Sequence, residues 1–278
     1  MPSRTIKAVY PAETMNEGVG VTVHRPIGKK GLMNLDPFLL LDEFEFAPNT
    51  GAGFPNHPHR GFETMTYMLS GAIKHTDTVG NSGTIRAGDA QWMTAGSGII
   101  HSEMPTDEEG PIHGLQLWIN LPSTLKMTTP KYRDAAANKI PVLEKDGYTV
   151  RIIAGEFNNI KGPISDAANN PLYMDITLSG NTEVSIPLRK RHTTFLYILN
   201  GNLTTGNQHI KARDLALLNE GDNVHLTGSN HTRLLLISGQ KLHEPIARYG
   251  PFVMNTHEEI LTAIDDYNHG RFPQQSLK

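Results

Sequence analysis

Thr66–Gly71 reads TYMLSG and is followed at Ile85–Met93 by IRAGDAQWM; far downstream, Leu196–Gly201 reads LYILNG and is followed at Ile210–Leu218 by IKARDLALL. The two passages share a rhythm of apolar, β-branched and aromatic residues closing on a glycine turn, then a second short strand-like run. The first halves are offset by 130 residues and the second by 125, which a shortened hairpin loop explains. A repeated β unit of this size predicts two similar barrels in tandem, joined within the polar stretch from Thr128 to Lys145.

The rest of the chain agrees with that reading. Turn signals recur throughout, with 26 glycines and 18 prolines in 278 residues. Between them lie short runs such as FETMTYML (62–69), GLQLWINL (114–121), YTVRIIAG (148–155) and TRLLLISG (232–239). Strand-sized runs at this spacing predict an all-β sandwich or barrel rather than βαβ units. One short C-terminal helix is expected, where Thr256 and Glu259 form a capping box ahead of Ile260, Ile264 and Tyr267. The expected division is 1–135 for an N-terminal barrel and 136–278 for a C-terminal one.

Composition narrows the function classes. The net charge is −3, and the longest basic run is Arg189-Lys190-Arg191, so no field draws nucleic acid, and no DNA-binding motif is visible. There are no cysteines, which excludes disulfides, thiolate metal sites and thiol nucleophiles. No apolar run is long enough to span a bilayer, and the first residues lack the apolar core of a signal peptide. The expectation is a soluble cytoplasmic protein, or a nuclear one in a eukaryote.

Two stretches carry chemistry. NHPHRG (56–61) places His57 and His59 one residue apart, and GIIHSEMP (98–105) places His101 and Glu103 at the same spacing. In an extended strand, residues i and i+2 face the same way. With the two strands on opposing walls of a small barrel, three imidazoles and a carboxylate converge on one point. Nitrogen and oxygen donors without sulfur suit Fe, Mn, Co, Ni or Zn. Four such ligands on an octahedral ion leave two positions for a substrate oxygen and O2. The cupin pattern H-x-H-x-x-x-E also nominates Glu63, which shares a face with His59 if the strand continues through Gly61; spacing alone leaves Glu63 and Glu103 level. His75, His113, His192, His209, His225, His231, His243, His257 and His269 lack such pairing and read as ordinary histidines.

Several longer segments then resemble one family. HPHRGFETMTYMLSG (57–71), DAQWMTAGSGIIHSEMP (89–105), GLQLWINLP (114–122), GPFVMNTHEEI (250–260) and DPFLLLDEFEF (36–46) are similar to the signature segments of pirins, in the cupin superfamily. The likeness runs from about residue 18 to residue 272. It implies a bicupin, two tandem jelly-roll barrels, with one mononuclear iron in the first. It also implies His57, His59, His101 and Glu103 as the ligands, with Glu63 left as a strand residue or one that supports the ligands from behind, and Fe2+ as the metal, Mn, Co, Ni or Zn substituting. The echo carries the four ligand positions to about Pro187, Arg189, Leu226 and Gly228, so the second barrel is expected to hold no metal.

Several pirins resemble quercetinases, which open the central ring of a flavonol with O2 and release carbon monoxide. This implies a small aromatic substrate and O2 as partners, with Glu103 as the base nearest the metal. Gln116 and Gln91 are candidates to orient the imidazoles. Phe54, Trp92, Met93 and Trp118 are candidates for the apolar lining. The Gly-rich loop Thr94–His101 is expected to bend the chain into its ligand strand. Other pirins resemble co-regulators whose iron sets a binding surface, which implies a protein partner and no physiological turnover.

Overall fold

A computed structural model describes residues 3–47, 50–106, 110–180, 182–228 and 231–273. The chain divides into two compact units, each built mostly of antiparallel strands. One comprises residues 14–25, 38–137 and 242–278; the other comprises 1–13, 26–37 and 138–241. The central break at Ala137/Asn138 lies beside the expected 135/136 join, but the chain ends do not follow the expected division. The first thirteen residues belong with the second barrel because Ile6–Pro11 pairs with Asp214–Leu218 at its sheet edge. Residues 242–278 belong with the first barrel, where the helix α1 (His257–Asn268) buries Ile260 and Ala263 against Phe252, Met254 and Phe272. The capping box is present: Thr256 accepts from the Glu259 amide, and Glu259 accepts from the Thr256 amide.

In the first barrel the strands are β1 (Glu13–Glu17), β2 (Val21–Ile27), β3 (Phe38–Phe46), β4 (Phe54–His59), β5 (Phe62–Ser70), β6 (Ala72–Asp77), β7 (Ser82–Arg86), β8 (Ala90–Thr94), β9 (Ile99–Pro105), β10 (Ile112–Asn120) and β11 (Lys131–Ala135). They form a seven-stranded sheet in the order β11-β8-β5-β10-β3-β2-β1 and a four-stranded sheet in the order β4-β9-β6-β7. Alternating residues from both sheets, Val21, Val23, Phe44, Met68, Ile73, Ile85 and Ile112 among them, interdigitate as one core.

The second barrel repeats this plan with a seven-stranded and a five-stranded sheet. Its core draws on both, from Val150, Met174, Leu196 and Leu234 on one side and Val184, Ile186, Val224 and Leu226 on the other. The echo in the sequence is a true register match. Tyr67 lies opposite Ala90 in the first barrel, and Tyr197 lies opposite Leu215 in the second, the same pair carried across by 130 and 125 residues. Further along, the register departs from the sequence transfer: Pro187 lies opposite Asn223, not near Leu226.

Candidate metal centre

The two ligand-bearing strands are neighbours. β4 and β9 run antiparallel in the four-stranded sheet, and His57 is the direct register partner of His101. The expectation of opposing walls is therefore corrected: the donors come from one sheet, and the second sheet supplies groups that face them. Same-face alternation along β4 brings in His59. Ring centroids of His57 and His101 are 4.4 Å apart, those of His57 and His59 4.7 Å, and those of His59 and His101 4.9 Å. One nitrogen from each ring falls within 4.8 Å of the others.

Burial tunes these rings. Desolvation, reinforced by the neighbouring imidazoles, holds His59 and His101 well below the usual histidine range, and it lowers His57 as well. All three are neutral at neutral pH, the form that offers a lone pair. Pro55 O lies 2.7 Å from His57 Nδ1, which makes that nitrogen the donor and leaves Nε2 as the free lone pair. His59 and His101 are 2% and 1% exposed, yet neither nitrogen of either ring has a hydrogen-bond partner. Leaving four buried polar nitrogens unsatisfied is unfavourable by on the order of 1–3 kcal/mol each. A cation at their meeting point, taking one nitrogen from each ring, relieves two of the four, so these donors fit a metal ion.

Glu103 follows on β9, across its bulge from Phe54. It lies outside the tight histidine triad but lines the same cavity. Thr66 Oγ1 donates to its Oε1 at 3.2 Å, and Gln116 Nε2 donates to its Oε2 at 3.2 Å. Thr66 Oγ1 shares its single hydroxyl hydrogen between Glu103 Oε1 and Gln116 Oε1, the latter at 2.6 Å, so β5 and β10 of the facing sheet hold the carboxyl from both sides. Burial pushes the carboxyl up to about 7, against the pull of the Thr66 hydrogen bond. Gln116 thus orients the carboxylate and not an imidazole. Gln91 donates to Asp134 and touches none of the histidines.

Glu63 points elsewhere. The strand does not continue through Gly61: β4 ends at His59 and β5 begins at Phe62. Gly61 takes φ +88°, and a Cβ there would meet Val253 O at 2.0 Å, so only glycine makes this corner. The break reverses the face parity. Thr66 faces Glu103, whereas Glu63, three residues earlier, lies on the opposite face, accepts from Thr94 Oγ1 at 2.7 Å and lies 3.8 Å from Arg133. The loop Thr94–His101 does bend sharply, with Gly98 at φ +131° and a would-be Cβ 2.8 Å from the Phe272 ring.

The donors open on a cavity of about 520 Å3. Phe54 and Trp118 line it, with Leu40 and Phe44; Trp92 and Met93 do not, and are buried core residues. The sequence reading passed over His75. It is the register partner of Glu103 on β6, its ring stands 5.3 Å from that of His101, and its Nε2 lies 2.9 Å from Tyr132 Oη. No spacing rule finds it, because its partners come from separate strands. A second group, Glu43, Glu45 and His113, also clusters. There His113 Nε2 lies 2.8 Å from Glu43 Oε1 and 3.8 Å from Glu45 Oε1, the geometry of an acid–imidazole pair. Among the described residues no third group of this kind occurs, and none lies in the second barrel.

Residues 20–119 match the Pirin family, and residues 173–273 match the Pirin C-terminal cupin domain. The chain belongs to the pirin family. A pirin-like protein of Solanum lycopersicum is 46% identical over 275 residues, covering 97% of this chain and 93% of that one. The pirin of Homo sapiens is 45% identical over 276 residues, covering 97% and 94%. The solved structure of a quercetin 2,3-dioxygenase from Acinetobacter baumannii superposes with a TM-score of 0.91 at 36% identity, covering 98% of this chain and 99% of that one. The all-β bicupin architecture expected from the pirin resemblance is therefore the observed one. Among the described residues no helix is long and apolar enough to cross a membrane.

Proposed function

We propose that this pirin is a mononuclear non-haem iron protein that opens a flavonol-like aromatic substrate with O2 and releases carbon monoxide. The observation that carries the reading is the set of buried, partnerless nitrogens of His59 and His101 beside a cavity with an apolar wall. The close likeness to a protein named quercetin 2,3-dioxygenase supports the substrate class.

His57, His59, His101 and Glu103 would hold one ion per chain. Fe2+ is the assignment, and Mn, Co, Ni or Zn suit the same donors. When bound, the metal supplies Lewis acidity toward a substrate hydroxyl and a redox partner for O2. The chain's own residues do the rest. Glu103 would accept the hydroxyl proton at a carboxylate oxygen. Thr66 and Gln116 keep that carboxylate aimed, and Phe54, Leu40 and Trp118 give the ring an apolar wall.

The test is turnover. Protein loaded anaerobically with Fe2+ and then given quercetin and O2 should consume both and evolve carbon monoxide, and metal-free protein should not. Untouched quercetin, together with a protein partner retained only by the iron-loaded form, would replace this reading with the co-regulator one.

A further inference from the structure

One end of the cavity wall is ionic but neutral in sum. Glu17, Arg25, Asp42 and Arg248 line it, two carboxylates against two guanidiniums. Arg25 Nε and Nη2 donate to the two oxygens of Asp42 at 2.7 and 2.6 Å, and Arg25 Nη2 lies 2.8 Å from Glu17. Arg248 has Asp42 and Glu17 as its negative neighbours. Its Nη1 donates to Leu39 O at 3.2 Å, and its guanidinium carbon lies 4.9 Å from the Trp118 indole centroid. A ligand group bearing net charge would upset this balance, whereas a neutral group that both donates and accepts fits it.

Asp42 is the member with bonding capacity left over. It is 7% exposed, and among the described residues its two oxygens accept only from Arg25, one N–H each. A carboxylate oxygen carries two lone pairs, so each oxygen retains one. Burial raises this carboxyl against the pull of Arg25, as expected of a carboxylate with fewer donors than water gave it. Strand register fixes its place: Asp42 on β3 lies directly opposite Gln116 on β10, and Gln116 Nε2 reaches Glu103 at 3.2 Å. Opposed residues on one sheet face stand about 5 Å apart at Cβ, so Asp42 lies one side chain beyond Glu103, the reach of a phenyl ring. Leu40 and Phe44 flank Asp42 on the same face of β3 and line the same cavity.

We infer that Asp42 is a specificity-determining residue that accepts a hydrogen bond from a phenolic hydroxyl on the substrate ring lying away from the metal. The ligand it selects is a neutral, polyhydroxylated aromatic. One hydroxyl meets His57, His59, His101 and Glu103, another meets Asp42, and the ring between them lies along Leu40, Phe44 and Trp118. The hydroxyl at Asp42 keeps its proton, and no bond is made or broken there. The inference rests on the cavity being the substrate site proposed above, and it narrows the substrate from flavonol-like to flavonol-like with a hydroxylated outer ring.

The test uses three probes: quercetin; galangin, which lacks both outer-ring hydroxyls; and the 3′,4′-dimethyl ether of quercetin, which keeps those oxygens but has no proton to donate from them. Affinities are measured by fluorescence titration of the Zn2+-loaded full chain without O2, so that no turnover intervenes. Quercetin should bind wild type about tenfold or more tightly than galangin, and the ether no more tightly than galangin. Asp42→Asn should bring the quercetin-to-galangin ratio to within about twofold of one. Equal affinities for quercetin and galangin in wild type, an ether that binds as tightly as quercetin, or a loss in Asp42→Asn that falls equally on quercetin and galangin would overturn the inference. The wild-type series decides by itself should the variant misfold. Turnover of quercetin by the Fe2+-loaded chain is assayed apart. Its absence with the affinity ratio intact would remove the dioxygenase reading and leave the subsite standing, whereas equal affinities alongside turnover would remove only the subsite.

Discussion

His57 and His101 sit directly opposite each other on neighbouring antiparallel strands, their ring centroids 4.4 Å apart. A directly opposed pair on one sheet face is the closest approach that strand geometry gives two side chains, and it holds both rings without a long loop between them. Removing one ring dissolves the donor set. His101→Ala is expected to weaken Fe2+ or Zn2+ affinity by about a hundredfold or more, read by competition with a chromophoric chelator. Unchanged affinity would remove His101 from the ligands.

Two carboxylates competed on spacing, and the structure separates them by face. Glu103→Gln is expected to lower metal affinity, whereas Glu63→Gln should leave it within about twofold and weaken the fold by about 1 kcal/mol through the Thr94 and Arg133 contacts. Urea unfolding and the chelator competition together read both. Metal loss in Glu63→Gln alone would exchange their roles.

How much of this was legible beforehand follows from which interactions are local. The echo predicted two similar β units, and the structure gives both the same internal pairing, Tyr67 with Ala90 and Tyr197 with Leu215, because the alternation that sets which face is buried is written in adjacent residues. The pairing of Ile6–Pro11 with Asp214–Leu218 spans more than two hundred residues and leaves no trace in either segment. Likewise, the face of Glu63 turned on one backbone corner at Gly61, and the contact of His75 with Tyr132 depends on strands that only the fold brings together. The residue types of the centre were readable, but the sheet that carries them was not.

Gln116 earns its place through Glu103. Gln116→Leu removes one hydrogen bond to that carboxylate and one acceptor of Thr66, which keeps only its bond to Glu103. Metal affinity should fall about tenfold, with far less change in thermal stability than His101→Ala causes in metal binding. A variant with wild-type affinity would reduce Gln116 to a packing residue.

The titration of Glu103 gives a signed pH dependence. Its carboxyl is raised from an ordinary 4.5 to about 7, so below that pH an incoming cation must displace a proton, and above it the carboxylate is already ionised. Metal uptake near pH 6 should release about one proton, and uptake near pH 8.5 close to none, as counted by calorimetry in buffers of different ionisation heat. In the metal-free chain the same shift has the folded state holding this proton more tightly than the unfolded one. Its contribution to stability is full at low pH and is lost as pH rises from 4.5 to about 7. Proton release that does not change between the two pH values would contradict a ligand role for Glu103.

The buried Lys126 ties the corner after His59 to the C-terminal segment. Its ammonium donates to Gly61 O at 2.8 Å, Asn120 Oδ1 at 2.7 Å and Val253 O at 2.9 Å. Lys126→Met leaves those acceptors unsatisfied and should weaken the fold by about 3 kcal/mol in chemical denaturation. A loss within about 0.5 kcal/mol would show that the three contacts are replaced by water.

The central claim is a single cation held by His57, His59, His101 and Glu103. Diffraction at the iron absorption edge from crystals of the Fe2+-loaded chain tests it most directly. The account predicts one anomalous peak per chain, roughly 2.0–2.2 Å from a nitrogen of each of the three imidazoles and from a Glu103 oxygen. No peak there, or a peak coordinated by other residues, would contradict it.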